Sequence, residues 1–175
     1  YRGEAFWEAH AQGRWSRQLF DSCLARSHQL TPPRAGFNHL RPNDDELRDR
    51  MREPWAYQYR HRDGLLCTLI AGNGLVGDFN VAIRAAGQTA PLSTNFYLPM
   101  PSPPGSLASF FSPLCHHVEE MFLTGRPGYP VERTLLTTGL TAAAVDSLHR
   151  DQQRVDTPHL DIAYRPNPES TYWRT

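Results

Sequence analysis

Apolar positions recur at helical spacing through residues 4–28. Phe6, Trp7, His10 and Ala11 share one face, and Trp15, Leu19, Phe20, Cys23 and Leu24 continue it. Gly13 interrupts the pattern and predicts a kink or two short helices. In residues 29–54 the period is lost to Pro32, Pro33, Gly36, Pro42, Pro54 and the charge cluster NDDELRDRMRE. That stretch predicts a long loop with one helical turn near residues 45–51. From Trp55 the period becomes two. WAYQYRHR sets Trp55, Tyr57 and Tyr59 against Ala56, Gln58 and Arg60. Asp63-Gly64 is a hairpin signal, and LLCTLIAG answers as a second strand. Asn73-Gly74 predicts another turn. Beyond it Leu75, Gly77, Phe79, Val81 and Ile83 share one face, and Val76, Asp78, Asn80, Ala82 and Arg84 the other. LSTNFYL predicts a fourth strand, which closes the strand block at residues 55–98.

PMPSPPGS breaks the sheet. From Ser106 the period is helical again: Leu107, Phe110, Phe111, Leu114, Cys115, Val118, Met121 and Phe122 form one stripe. A Gly/Pro corner, TGRPGYP, follows, and then a second helix over about residues 131–149. Pro130 suits its first helical position, and Glu132 favours the helix dipole. HLDIAY predicts a closing strand at residues 159–164. The order helix, loop, four strands, two helices (residues 106–150), strand is α+β: a largely antiparallel β-sheet with helices packed on one face, in a single domain over residues 1–175.

Composition narrows the chemistry. The 175 residues carry 18 basic and 18 acidic side chains, so no net charge recruits nucleic acid or an anionic membrane. No apolar run approaches the roughly 20 residues that span a bilayer. All 18 basic residues are arginine. Without lysine, no Schiff base and no lowered-pKa lysine base can form. Cys23, Cys67 and Cys115 are odd in number and widely spaced, which predicts three buried thiols in a reducing, cytoplasmic setting, not a disulfide framework or zinc motif.

Each candidate for chemistry has a plainer reading beside it. Adjacent helical residues point about 100° apart, so His116 and His117 cannot chelate one metal together. His117 borders the apolar stripe and is either a rim histidine or a ligand contact. His159 and Asp161 share a strand face but lack a third and fourth metal ligand, so no metal is expected. Asp78, Asn80 and Arg84 are a solvated sheet face or a substrate- or partner-facing one. Arg133, next to Glu132, lies on the surface or braces the preceding loop or a carboxylate from another element. Trp7 and Trp15 with Arg14 and Arg17 suggest base stacking or, at i, i+8 on one face, core. P-loop, GxSxG and HExxH motifs are absent, and the one GxGxxG string, Gly72 to Gly77, leads into strand periodicity and not into a helix.

The segment HHVEEMFLTGRPGYPVERTLLTTGLTAAAVDSLHRDQQRVDTPHLDIAY resembles the closing part of the Gfo/Idh/MocA oxidoreductase family, in a poorly characterised dehydrogenase-like branch. The likeness lies in a helix, the corner Thr124-Gly125-Arg126-Pro127, a second helix and a last strand, and it extends over about residues 55–165. It implies a C-terminal domain that completes a pocket for a sugar, polyol or similar small polar substrate and builds a homo-oligomer through its sheet. NAD or NADP would be bound by a separate Rossmann domain, whose strand, glycine turn and helix fingerprint this chain lacks as a unit. The family's catalytic lysine has no counterpart here, so the chain is expected to be catalytically incomplete alone, a C-terminal domain or a truncated piece. Substrate contacts would come from His117, Glu132, Arg133, Asp78 and Arg84. A non-catalytic binding or oligomerisation module using the exposed sheet face is the alternative. A free-standing lyase or isomerase built on His116, His117 and Glu132 is a third reading.

Overall fold

The computed structural model describes residues 1–27, 42–96 and 111–168. The chain divides into two compact units, Tyr1–Leu98 and Pro99–Thr175. Each is taken by itself.

The first unit opens with helices α1 (Glu4–Ala11) and α2 (Arg17–Leu24). Gly13 separates them with φ +65, a left-handed backbone that ends the first helix. The side chain of Ser16 then caps α2 by accepting from the Leu19 amide at 3.2 Å. Helix α3 (Asp44–Arg50) starts on a capping box. Asn43 accepts from the Glu46 amide, and the Glu46 carboxylate accepts from the Asn43 amide. It is two turns long, where the sequence predicted one. Residues 29–41 of the predicted loop lie outside the described residues.

Phe6, Trp7, Ala9, Trp15, Leu24, Leu47, Met51, Ala56 and Leu75 form the core of this unit. Phe6 and Leu47 are fully buried, and burial of such a side chain contributes about 1.5–3 kcal/mol. Trp7 and Trp15 are core residues, as their spacing suggests. The Trp15 ring stacks on His10 at 4.5 Å, and the Arg48 guanidinium lies 4.7 Å over Trp7. Ala11 is exposed, and Ala9 takes its place inside.

The four strands pair as two separate antiparallel ribbons, not one continuous sheet. In the first, β1 (Trp55–Arg60) meets β2 (Leu66–Ala71) with Trp55 opposite Ala71 and Arg60 opposite Leu66. Gly64 turns this hairpin at φ +92. In the second, β3 (Phe79–Ile83) meets β4 (Leu92–Phe96). Residues 97–98 of the predicted fourth strand lie outside the described residues. Leu75 does not belong to β3. It sits in the Asn73-Gly74 turn and plugs the core at 1% exposure. That turn requires glycine twice over: Gly74 has φ +83, and a Cβ there would stand 2.5 Å from the carbonyl oxygen of Arg50. Cys23 and Cys67 are half-buried, and burial pushes the Cys23 thiol pKa up. Cys115 is exposed, against the expectation of three buried thiols.

The second unit holds α4 (Ser112–Thr124), α5 (Val131–His149) and a 3-10 turn (Pro158–Leu160). Residues 106–110 of the predicted first helix lie outside the described residues. Gly125 ends α4 in the left-handed conformation, φ 67, and donates its amide to the Met121 carbonyl. Pro130 is the N-cap of α5, one position before the predicted first turn. The predicted strand at 159–164 does not form. Pro158 has no amide to give a ladder, the Leu160 amide donates to Thr157, and that of Ile162 donates to Leu160. The turn instead seats Leu160 against Gly139, where a Cβ would overlap the leucine side chain. No described residue of this unit is buried.

The mixed helix and antiparallel-strand content makes the fold α+β, as predicted. No described helix is long and apolar enough to cross a membrane.

Candidate docking surface

Strand alternation gives the β3–β4 ribbon two chemically opposite faces. Asn80 stands opposite Asn95 and Ala82 opposite Ser93 on one side. Phe79 stands opposite Phe96, Val81 opposite Thr94 and Ile83 opposite Leu92 on the other. Helix α2 packs against both strands. The side it meets is the polar one, contrary to the solvated sheet face that the sequence suggested for Asp78, Asn80 and Arg84.

Polar pairs hold that contact together. Asp78, just before β3, accepts from the Ser27 hydroxyl at 2.7 Å, from Asn80 Nδ2 at 2.8 Å and from Asn95 Nδ2 at 3.1 Å. The same Asn95 nitrogen donates to Asn80 Oδ1 at 2.9 Å. Ser27 is only 2% exposed, so this network closes over it. At the edges Arg26 donates to Ser93 at 3.0 Å and Arg84 to Gln18 at 2.9 Å. The polar groups of this contact are tolerated because they bond to one another.

The apolar side faces outward. Phe79, Val81, Ile83, Leu92 and Phe96 are between 40% and 58% exposed, and Thr94 is exposed beside them. No charged residue stands among the six. Single exposed apolar residues are ordinary, but a contiguous apolar face on a ribbon marks an interaction site.

The five residues proposed from the sequence as substrate contacts fall into both units. Asp78 and Arg84 belong to the polar network and to its edge. His117 is half-buried on α4, with its ring 5.6 Å from that of His116 at 55°. Glu132 and Arg133 are exposed in the first turn of α5. Arg133 lies 4.5 Å over the Tyr129 ring and so braces the Gly/Pro corner by a cation–π contact. The structure thus joins Asp78 to Asn80, Asn95 and Ser27, and Arg133 to Tyr129. His159 and Asp161 fall in and just after the 3-10 turn, not on one strand face, and no group of three potential metal ligands occurs among the described residues.

One charged cluster has no signature in the sequence. Arg17 donates to Asp21 at 2.8 Å and also pairs with Asp44, and Asp44 lies 3.3 Å from His10 Nε2. These contacts stitch α1, α2 and α3 together. The Asp44 pKa is held below the ordinary carboxylate value: desolvation pushes it up, but the hydrogen bonds and charges of His10 and Arg17 outweigh that. Its partners are 27 and 34 residues apart in sequence, so no local motif announces it.

Comparison with protein-family models, curated proteins and solved structures finds no match for this chain.

Proposed function

We propose that this chain is a non-catalytic assembly module whose working surface is the outer face of the β3–β4 ribbon. One observation carries this reading. The inner face is already committed to the packing of α2 and to polar bonds from Arg26 and Ser27 just after it, so the five large apolar residues of the outer face have no place in that packing. A surface of this kind gains free energy by leaving water against a partner. Photo-crosslinking in expressing cells tests it, with a benzophenone amino acid at position 81 and a control at exposed Glu8. The expected result is a discrete adduct with an identified protein, of any kind, at position 81 only, lost in Ile83→Asp. Equal or absent labelling at the two positions overturns the reading.

A second reading has its own support in the corner between α4 and α5. The TGRPGYP sequence there ends one helix on left-handed Gly125 and caps the next with Pro130. That supports a C-terminal substrate-binding and assembly domain of a Gfo/Idh/MocA-like oxidoreductase. In it, NAD or NADP binds a separate Rossmann domain of the parent, and a sugar or polyol is the substrate. A βαβ unit with a glycine-rich turn encoded upstream of Tyr1 is the expected finding, and its absence from the gene removes this reading.

A further inference from the structure

The outer face is ordered in three cross-strand rows. An aromatic row, Phe79 with Phe96, lies at one end. A small central row, Val81 with Thr94, follows, and an aliphatic row, Ile83 with Leu92, closes the other end. We infer that the partner of this face is a second copy of the chain, related by a twofold axis that lies across the strands at Val81 and Thr94. This rests on the docking-surface reading above.

Three features select that occupant. The first is area. At the exposures observed, the six residues offer roughly 600 Å² per copy, or about 1,200 Å² for a pair when wholly covered, which clears the ~1,000 Å² expected of a specific interface. The second is the absence of charge. A face with no ionic group carries no steering or selecting element for a different protein, and apolar faces of this sort are characteristic of homodimers. The third is the order of the rows. A transverse axis lays the aromatic row of one copy on the aliphatic row of the other, so the layer keeps one thickness. An axis along the strands would stack four phenylalanines at one end and leave the other end thin.

Thr94 decides between the two axes independently. Its hydroxyl is the one side-chain polar group on the face, and its internal contact, to the Asn95 carbonyl, is long at 3.4 Å. The transverse axis sets Thr94 opposite its own copy, where two hydroxyls can satisfy each other. The longitudinal axis sets it against Val81, burying a hydroxyl on methyl groups, which is costly. A twofold interface is self-complementary in this way by construction.

Cysteine crosslinking of the full chain tests the geometry, in a background with Cys23, Cys67 and Cys115 replaced by serine and with a short bismaleimide. Val81→Cys and, separately, Thr94→Cys are expected to give covalent dimers. Phe79→Cys alone should give at least about tenfold less, because four residues of strand, ~13 Å, separate it from its own copy. A mixture of Phe79→Cys and Ile83→Cys chains should crosslink. Adding Ile83→Asp to Val81→Cys should weaken dimerisation by roughly 100-fold in sedimentation velocity. If Phe79→Cys self-links better than Val81→Cys, the axis is wrong while self-association stands. If the chain stays monomeric and the benzophenone at position 81 labels a different protein, the second copy is wrong while the docking surface stands. If neither assay gives an adduct, both fall.

Discussion

Asp78→Ala is the sharpest probe of a ribbon that hides its polar side. In the native chain this carboxylate accepts from Ser27, Asn80 and Asn95 at 2.7, 2.8 and 3.1 Å. Alanine removes every one of these acceptors. Ser27 is sealed from water, so loss of this acceptor for its hydroxyl costs about 1–3 kcal/mol. Asn80 and Asn95 are half-buried and recover part of their loss by bonding to each other and to solvent. The sum is a loss of about 2–4 kcal/mol, large for a domain whose total is of order 5–15 kcal/mol. Ile83→Ser is the matched control on the outer face. Ile83 is already 47% exposed, so its replacement should cost under about 1 kcal/mol in the isolated chain. Urea unfolding by linear extrapolation, followed by circular dichroism at sub-micromolar chain concentration, compares the two with association removed. A chain in which the hydrophobic substitution costs more than the polar one would refute the inverted ribbon outright.

Two further perturbations address the other clusters. Because Asp44 has a lower pKa folded than unfolded, its contribution is fully present above the unfolded carboxylate value near 4 and is lost as pH falls through the folded value. The side chain is largely exposed, so the stability gap between wild type and Asp44→Asn should be under about 1 kcal/mol at pH 6 and should shrink as the carboxylate is protonated in acid; a gap that does not shrink as pH falls below the unfolded carboxylate value contradicts the ion-pair account. Arg133→Ala should cost about 0.5–1 kcal/mol in unfolding of the second unit by removing the contact with Tyr129. It should leave crosslinking at position 81 unchanged, and a lost adduct would give Arg133 a role beyond the corner.

The periods written in the sequence located most elements. Gly13, Asp63-Gly64, Asn73-Gly74 and Gly125 each mark a real boundary, because their backbone requirements are local. Alternation over residues 79–83 likewise separated Phe79, Val81 and Ile83 from Asn80 and Ala82. What alternation cannot give is which side faces inward, since that depends on the element laid against it. Here the element is α2 with the turn after it, which brings Gln18, Arg26 and Ser27 to the ribbon, about 50 to 70 residues away in sequence. The capping box at Asn43 and Glu46 was legible as N-x-x-E but sat inside a proline-rich stretch that read as loop. HLDIAY failed as a strand for a related reason. Its alternation is real, but Pro158 and the turn bonds of Leu160 and Ile162 consume the amides that a ladder needs.

An inverted ribbon ties folding to association. Two strands alone are marginal in water, and a polar network fixes their register without supplying much driving force, because each of its bonds replaces one to solvent. The apolar area that would supply that force lies on the outer face. Any partner that covers it binds the folded ribbon and not the unfolded chain, so occupancy adds RT ln(1 + [L]/Kd) to the ribbon's stability, about 2.7 kcal/mol at a hundredfold excess over Kd. That is comparable with the whole Asp78 network. The two faces therefore act on different properties of the same ribbon. Ser27, Asp78, Asn80 and Asn95 decide how the strands align, and Phe79, Val81, Ile83, Leu92 and Phe96 decide, through what covers them, how firmly they stay aligned.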